Sequence, residues 1–201
     1  MKICNYSPEE YIEKIKSFHG SVAPGMIAGG FMVDIAMKNL PEGEFFDVIC
    51  ETQHCLTDAV QLLTPCTIGN GWLKIVNISR FALIFFNKYT GDGVRIYIDI
   101  DKLNKWGEIR SWFLKEKPKH EQDSKKLVNQ LIEAGTDYLG IMKVKVKKEY
   151  ISTRKKISEP NAICPICNEV YYLKYGDKCP SCSGSGPYEI DITKGERRTE
   201  K

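Results

Sequence analysis

Residues 164–182 of the chain are CPICNEVYYLKYGDKCPSC, in which two Cys-x-x-Cys pairs are separated by eleven residues. Each pair forms a turn that aims two thiolates at one point, and two such turns complete a closed tetrahedron of sulfur ligands for zinc. A redox dithiol or two disulfides would be the alternatives, but paired Cys-x-x-Cys motifs are typical of zinc sites. The spacing therefore predicts one structural zinc ion, bound by Cys164, Cys167, Cys179 and Cys182.

The segment around these cysteines is too small to bury an adequate apolar core, so zinc binding is expected to supply its folding free energy. We predict a small zinc finger of treble-clef or ribbon type over residues 156–194, followed by a frayed tail over 195–201. The polar, charged segment STRKKISEP at 152–160 marks the boundary with a core domain over residues 1–155.

Two helices are predicted near the N-terminus. Ser7-Pro8-Glu9-Glu10 has the residue types of a helix start, with serine at the N-cap, proline at the first position and glutamate at the third. A second helix is predicted from Pro24 to Leu40. Its glycines, at positions 25, 29 and 30, each lower helix stability by about 1 kcal/mol, so we expect another backbone or a ligand to approach them closely.

Further along the chain, a short helix is predicted with Thr57 or Asp58 as its cap and Leu63 at its end. Two amphipathic helices follow after residue 100. The apolar face of one is expected to contain Leu103, Trp106, Ile109 and Phe113, and that of the other Leu127, Leu131, Ala134 and Tyr138.

Four apolar runs predict strands, at Phe45–Glu51, Trp72–Ile78, Phe81–Phe86 and Val94–Asp99, and a turn-rich segment joins the last two as a hairpin. Residues Met142–Ile151 alternate apolar residues with lysine, which predicts a strand with a charged outer face. Because most strands are adjacent in sequence and helices gather at both ends, the pattern favours an α+β fold with an antiparallel or mixed sheet and flanking helices.

The composition of the 201 residues limits the class of protein. No apolar run of 18 residues and no secretory signal is present, and the eight cysteines fit thiols or metal ligands, so we expect a cytoplasmic protein without a membrane segment. Residues 142–201 contain 13 Lys and Arg against 8 Asp and Glu, which is a weak basic excess for a nucleic-acid interface. Tyr171, Tyr172 and Tyr175 are therefore interpreted as packing residues.

Two segments of the core contain residues capable of chemistry. HGSVAPG at 19–25 includes His19, and the segment at 51–71 includes Cys55, Asp58, Gln61, Cys66 and Thr67. A histidine, a cysteine and an aspartate together can form an open metal site or a nucleophile with its base. Backbone amides in the loop at Cys66 and Thr67 are expected to be able to lower a thiol pKa. A buried, inert cysteine and a histidine that caps helix carbonyls are the structural alternatives.

These segments resemble the FmdE-like family, which is named after the FmdE subunit of formylmethanofuran dehydrogenase. The family pattern Cys-x-x-Asp-Ala-x-Gln-x-x-x-Gly-Cys-Thr is similar to this chain at Cys55, Asp58, Ala59, Gln61, Cys66 and Thr67, and Gly93-Val94-Arg95 is similar to a later strand hairpin of the family. The family's His-Gly-His-x-Cys-Pro-Gly segment is only partly kept. His19, Gly20, Pro24 and Gly25 are present, but Ser21 and Ala23 replace the second histidine and the cysteine.

The resemblance implies a zinc-binding homodimer with an accessory, non-redox role related to the dehydrogenase, in the one-carbon metabolism of methanogenesis. It implies a core cleft with Cys55 and His19 as catalytic candidates, and with Asp58, Gln61, Cys66 and Thr67 as cofactor-binding candidates. The departures at Ser21 and Ala23 weaken the expectation of a second metal in the core, because neither side chain replaces a thiolate or an imidazole as a transition-metal ligand. No cysteine spacing for a [4Fe–4S] cluster is left once the zinc ligands are assigned.

Three functions therefore compete on the sequence. The first is an accessory protein that binds a small ligand or a protein partner through the core cleft. The second is an enzyme that uses Cys55 as a nucleophile or a metal held by His19 and Cys55. The third is a zinc-ribbon nucleic-acid binder, which the weak basic excess disfavours.

Overall fold

The computed structural model describes residues 1–40, 45–151 and 159–188. The chain divides into two compact units, Met1–Ser152 and Thr153–Lys201, and each has its own architecture. The predicted boundary between residues 155 and 156 and the predicted tail at 195–201 both lie outside the described residues.

The first unit combines α-helices with a five-stranded sheet. Its helices are α1 (Pro8–His19), α2 (Pro24–Lys38), α3 (Leu56–Leu63), α4 (Ile100–Leu103), α5 (Gly107–Phe113) and α6 (Ser124–Ala134). Its strands are β1 (Phe46–Cys50), β2 (Leu73–Ile75), β3 (Ala82–Asn87), β4 (Asp92–Ile98) and β5 (Leu139–Lys145). Single 3₁₀ turns lie at Lys119–Glu121 and Lys148–Tyr150.

The sheet has the strand order β2-β1-β3-β4-β5. Strands β1 and β2 are parallel, and every other neighbouring pair is antiparallel. The predicted α+β class with a mixed sheet is therefore confirmed. In this order the carboxyl ends of β1, β2 and β4 meet the amino end of β3 at one edge of the sheet, where the core site is built.

The predicted start of α1 is confirmed in atomic detail. The Ser7 hydroxyl accepts a hydrogen bond from the Glu10 backbone N–H at 3.2 Å, and the Glu10 carboxylate accepts one from the Ser7 N–H at 2.7 Å. This reciprocal capping box satisfies two backbone donors that a helix start leaves without partners. The helix ends at Gly20, whose φ of 83° is in the left-handed region that favours glycine.

The glycines of α2 allow a close approach, but side chains of neighbouring helices make it, and not the backbone or ligand that the sequence led us to expect. A Cβ atom at Gly29 would lie 2.6 Å from the Cβ of Ala59 on α3, and one at Gly30 would lie 2.4 Å from the ring of Tyr11 on α1. The neighbouring helices therefore contact the α2 backbone directly. The buried packing of α2 offsets the low helix propensity of its glycines.

The two faces of the sheet differ. The helix-facing side contributes Val48, Phe85 and Val94 to the main core, whereas the opposite, open side has a small apolar cluster of Ile49, Phe86 and Val146. Tyr150 and Ile151, which follow the last strand, pack against this small cluster.

The lysines of β5 are exposed, as expected, whereas Val144 is half-buried and Val146, just after the strand, is buried. Met142 pairs with Arg95 and therefore lies on the open side, whereas Lys143 pairs with Val94 and lies on the helix-facing side at the sheet edge. Both are exposed. As β5 is an edge strand, a lysine on its helix-facing side still reaches solvent, so the alternation alone does not tell which face is buried.

Two helix predictions are corrected. Helix α3 begins at Leu56 with Cys55 at its N-cap, because the Thr57 hydroxyl donates to the His54 carbonyl oxygen at 2.9 Å inside the first turn. The predicted long helix around residues 103–113 is two helices, since Asp99 caps a short α4 and a new helix begins at Gly107.

The second unit contains an antiparallel pair of short strands, β6 (Asn161–Ile163) and β7 (Val170–Tyr172). A 3₁₀ turn at Leu173–Tyr175 and a helical turn at Ser181–Ser185 follow. The expectation that the three tyrosines are packing residues is wrong for two of them. Tyr172 and Tyr175 are 54% and 56% exposed, because a unit this small has no interior to cover them.

Across the described residues, no single helix has the length and apolar character needed to cross a membrane. The bent pair α1–α2, with an angle of 120°, meets the length and composition test together.

Candidate metal centre and core site

The four predicted zinc ligands come together in the second unit. Their Sγ atoms all lie within 4.8 Å of one another, and the Sγ atoms of Cys167 and Cys179 are 3.7 Å apart. Two sulfurs on one tetrahedral zinc with bonds of about 2.3 Å would be about 3.8 Å apart. The donor set and its spacing therefore fit one zinc ion.

Backbone amides lower the pKa of one of these four thiols. The backbone N–H groups of Cys167 and Cys179 lower the pKa of the Cys164 thiol to about 6, and the Cys179 N–H lies 3.4 Å from Cys164 Sγ. The Cys182 N–H donates in the same way to Cys179 Sγ at 3.4 Å. Because the thiolate is the metal-binding form, the two N–H donors to Cys164 favour metal binding by that residue, whereas burial raises the pKa of the Cys182 thiol to about 12. Four thiolates leave no open coordination position, so the zinc is structural.

Within the described ranges, this quartet is the one group of three or more histidine, cysteine or acidic side chains whose ligand atoms lie that close together. All eight cysteines belong to those ranges, and all are free of disulfides.

In the core, the structure brings together His19 and Asp58, two residues from the separate predicted segments. His19 ends α1 and Asp58 lies in the first turn of α3, and their Nδ1 and Oδ2 atoms are 2.9 Å apart. A hydrogen bond from Nδ1–H to the carboxylate fixes the imidazole ring and leaves Nε2 free to accept a proton or bind a metal.

Cys55 lies beside this pair at the N-cap of α3, and it is half-buried. A Cβ atom at Gly25 would lie 3.0 Å from the Cβ of Cys55 and 3.8 Å from the ring of Phe81. Glycine at position 25 thus allows both side chains to approach the first turn of α2. Burial raises the pKa of the Cys55 thiol, and the charge of Asp58 raises it further. The thiol is therefore protonated at neutral pH.

The other predicted core residues lie further along the chain. Gln61 is on α3, three residues and about 4.5 Å along the helix axis after Asp58, and Cys66 and Thr67 follow the end of the helix. Gln61 Oε1 accepts a hydrogen bond from the Ile68 N–H at 3.3 Å. Thr67 and Asn70 exchange two hydrogen bonds of 3.1 Å between backbone and side chain. These polar groups build the loop that follows the helix, and their predicted role in cofactor binding stays a prediction.

Cys66 is fully buried in this loop region. Burial raises the pKa of its thiol to about 11, and its Sγ lies 3.7 Å from the Phe46 carbonyl oxygen, to which it donates. The expectation that backbone amides lower a thiol pKa here is wrong, because removal from water dominates.

A pocket of about 490 Å³ lies at the sheet edge where β1 and β4 end. We call it the sheet-edge pocket, and its lining residues include Arg80, Phe81, Arg95, Tyr97 and Phe113. Phe81 connects it to the first turn of α2. Of these residues, Arg95 alone belongs to a motif noted in the sequence. Glu51 is a charged residue at the end of one apolar strand, and Arg95 is a charged residue inside another. These charges are the sequence signal that could have indicated a site here.

Arg95 is held in this pocket by Glu51, the residue that follows β1. Its Nε and Nη2 atoms donate to the two carboxylate oxygens of Glu51, each at 2.7 Å. The loop after β2 is fixed at the same point, because the backbone N–H groups of Ile78 and Arg80 both donate to the Glu51 carbonyl oxygen.

The fold and the site define a class of protein in which an α+β domain is followed by a four-cysteine zinc finger. Residues 18–148 match the family described as "FmdE, Molybdenum formylmethanofuran dehydrogenase operon", and residues 155–189 match the "FmdE treble clef zinc finger". The chain therefore belongs to the FmdE family. The finger is of the treble-clef type, which decides between the two predicted alternatives.

A solved structure is similar over nearly the whole chain. It is an FmdE-like protein from Syntrophus aciditrophicus, named after the FmdE subunit of tungsten formylmethanofuran dehydrogenase. The two chains are 49% identical, with a TM-score of 0.85 over 94% of this chain and 98% of that one.

A curated relative from Archaeoglobus fulgidus is named a probable S-adenosyl-L-methionine-binding protein. It is 29% identical over 191 residues, which cover 86% of this chain and 52% of the relative. The chain thus spans about half the length of that protein.

Proposed function

We propose that this chain is a non-redox binding protein of its family, in which the core domain binds a small ligand in the sheet-edge pocket. The observation that carries the proposal is the position of Phe81. It lines the pocket and lies against Gly25, close to Cys55, both of which belong to the family's motif segments. The zinc of the treble-clef finger is structural and takes no part in ligand chemistry.

The state of Cys55 favours binding over covalent catalysis. A nucleophilic cysteine is activated by a lowered pKa or by an adjacent base. Here burial and the Asp58 charge both raise the pKa of the thiol, which opposes such activation.

The family context supports an accessory role. The matched family is described by the formylmethanofuran dehydrogenase operon, and the similar solved structure is named after a subunit of that enzyme. We therefore propose a cytoplasmic, accessory role in one-carbon metabolism of the methanogenic type. A catalytic turnover of formylmethanofuran by the purified chain alone, with an artificial electron acceptor, would contradict the non-redox part of this proposal.

The ligand site can be tested with a matched pair of variants. Phe81→Ala removes an aromatic wall of the pocket, whereas Phe45→Ala removes an exposed phenylalanine outside it. Trp112 packs edge-on to Phe81 at 6.4 Å and provides a fluorescence reporter. We expect ligands found by thermal shift to bind at least about tenfold more weakly to Phe81→Ala and equally well to Phe45→Ala. Equal binding by both variants would place the ligand elsewhere.

S-adenosyl-L-methionine belongs in the set of ligands tested. The Archaeoglobus relative is named for binding this ligand, and the present chain matches 52% of that protein. The name therefore refers to the whole relative and not to the shared half. If S-adenosyl-L-methionine binds to this chain, the binding named for the relative extends to its FmdE-like half.

A metal in the core is the second candidate, and the His19–Asp58 pair favours it. Metal-binding histidines usually donate their other ring N–H to a carboxylate, as Nδ1 does here. Metal analysis separates the two functions. The binding proposal expects one zinc per chain, whereas a core site expects a second metal that is lost in Cys55→Ala and retained in Cys4→Ala.

We also propose that the protein is a homodimer that packs through the open side of its sheet. Met142 and Ile78 are exposed apolar residues there, next to the small cluster of Ile49, Phe86 and Val146. Sedimentation should give a dimer for the wild type and for Met37→Glu, an exposed methionine of α2. Met142→Glu should shift the mass to the monomer. A wild-type monomer would refute the proposal.

Nucleic-acid binding is outside the proposal. The described part of the zinc finger contains two lysines, at 174 and 178, against three acidic residues, and Lys174 is paired with Glu159 at 2.9 Å. This charge balance gives few contacts for phosphates.

A further inference from the structure

The charges around the sheet-edge pocket point to the class of ligand that it binds. Two of its lining residues, Arg80 and Arg95, are cationic, and none of its lining residues is acidic. The Glu51 carboxylate neutralises Arg95 from outside the pocket. The remaining positive charge is that of Arg80, which is exposed and has no ion pair among the described residues.

The two guanidinium groups are positioned for ligand binding in different ways. Arg95 uses Nε and Nη2 to bind Glu51, so its Nη1 N–H groups remain as donors without a partner in the described structure. The Arg80 side chain has no ion pair or hydrogen bond among the residues that the structure describes. Its backbone is fixed by hydrogen bonds from its N–H to the Glu51 carbonyl and from the Ala82 N–H to its own carbonyl. One held and one adjustable guanidinium can bind a carboxylate or a phosphate.

The walls of the pocket fit a flat ring. Phe81 and Phe113 meet edge to face, with ring centroids 5.2 Å apart. Tyr97 also lines the pocket. A Cβ atom at Gly140 would be 2.4 Å from its ring, so glycine lets the ring lie directly on the sheet backbone. The Arg95 guanidinium is 5.2 Å from the centre of that ring. Aromatic walls of this kind provide contacts for a planar ligand of matching size.

We propose that the sheet-edge pocket binds a small molecule that combines a flat ring with an anionic group, held by Arg80 and Arg95. This inference rests on the proposed function and names the ligand class of the same site. It predicts that a ligand with net positive charge binds poorly. S-adenosyl-L-methionine is such a ligand, because its sulfonium and ammonium groups outweigh its one carboxylate.

The test is titration calorimetry of the full chain with four probes. Adenosine 5′-monophosphate and benzoate each combine a ring with an anion, and they separate a phosphate from a carboxylate. Adenosine has the ring alone, and S-adenosyl-L-methionine has a ring with net positive charge. At least one of the two anionic probes should bind about tenfold or more tightly than adenosine, and its affinity should fall as salt is raised.

Two charge-matched variants locate the contact. Arg80→Gln should weaken binding of the anionic probe about tenfold, whereas Arg110→Gln, which removes a guanidinium outside the pocket lining, should leave it unchanged. Equal losses in both variants, or no loss in either, would overturn the assignment to this pocket.

The remaining outcomes separate the inference from the proposed function. Tight binding of adenosine or S-adenosyl-L-methionine, with a loss in Phe81→Ala and none in Arg80→Gln, would overturn the anionic class and keep the ligand site. Binding of none of the four probes at millimolar concentration would overturn the inference. If a wider panel of small molecules also gives no thermal shift, the proposed function fails with it.

Discussion

Arg95 on β4 and Glu51 at the end of β1 form a bidentate ion pair across β3, the strand that separates them. Their side chains are 13% and 7% exposed. The pair connects the pocket to the loop after β2. Arg95 lines the sheet-edge pocket, and the Glu51 backbone holds the loop that contributes Arg80 and Phe81. One interaction therefore shapes the site and stabilises the sheet.

Removal of this carboxylate should destabilise the core strongly. Glu51→Ala leaves the Arg95 guanidinium buried without a counter-charge, for which a loss of about 3 kcal/mol in the free energy of unfolding is expected. Urea unfolding followed by tryptophan fluorescence measures it. Glu13→Ala, which breaks the exposed Glu13–Lys16 pair, is the control and should change stability by less than about 0.5 kcal/mol. Similar stabilities for the two variants would show that the pair contributes little.

The second prediction concerns the zinc. Cys179→Ser should lose the metal and unfold the finger while the core keeps its thermal midpoint, because the two units have separate interiors. Zinc content by mass spectrometry should fall from about one per chain to none. Cys4→Ser, which replaces a cysteine outside the quartet, should retain the zinc. Unfolding of the whole chain at once in Cys179→Ser would show that the two units depend on each other.

The third prediction follows from the raised pKa of Cys55. A thiol whose pKa lies above its ordinary value of about 9 has little thiolate at pH 7, so alkylation by iodoacetamide should be slow there. The rate should rise about tenfold per pH unit until the pH passes the pKa. Peptide mapping by mass spectrometry reports Cys55 alone. Asp58→Asn removes one cause of the shift and should speed the reaction at pH 8. Fast labelling of the wild type at pH 7 would instead indicate an activated nucleophile.

The zinc quartet could be predicted from the sequence because its ligands lie in two local turns whose spacing fixes their direction. The capping box of Ser7 and Glu10 could be predicted for the same reason, since it depends on residues near one another in the chain. The α2 glycines predicted a close approach, but not that the side chains of Tyr11 and Ala59 would make it. Such local patterns can be recognised without knowledge of the tertiary fold.

The core site could be predicted only in part. His19 and Asp58 were both candidates, but their contact joins residues 39 positions apart, and no local pattern gives that distance. Arg80 and Tyr97 became pocket residues through the order of the strands, which brings the ends of β1 and β4 together on either side of β3. The exposure of the β5 lysines could be predicted from the period of two residues, but that period does not say on which face of the sheet they lie.

The last prediction tests the contact between α1 and α2. In Gly30→Ala, the new methyl group would lie 2.4 Å from the ring of Tyr11, which is fully buried and donates from its hydroxyl to the Met26 carbonyl oxygen at 2.9 Å. The ring cannot move aside without loss of this hydrogen bond, so we expect a loss of about 2 kcal/mol despite the better helix propensity of alanine. Gly107→Ala is the matched control, since a Cβ atom there meets no heavy atom within 4 Å, and it should gain up to about 1 kcal/mol. Denaturant midpoints of the two variants should therefore move in opposite directions, and a shift of both upward would mean that α1 and α2 are packed less tightly than these distances require.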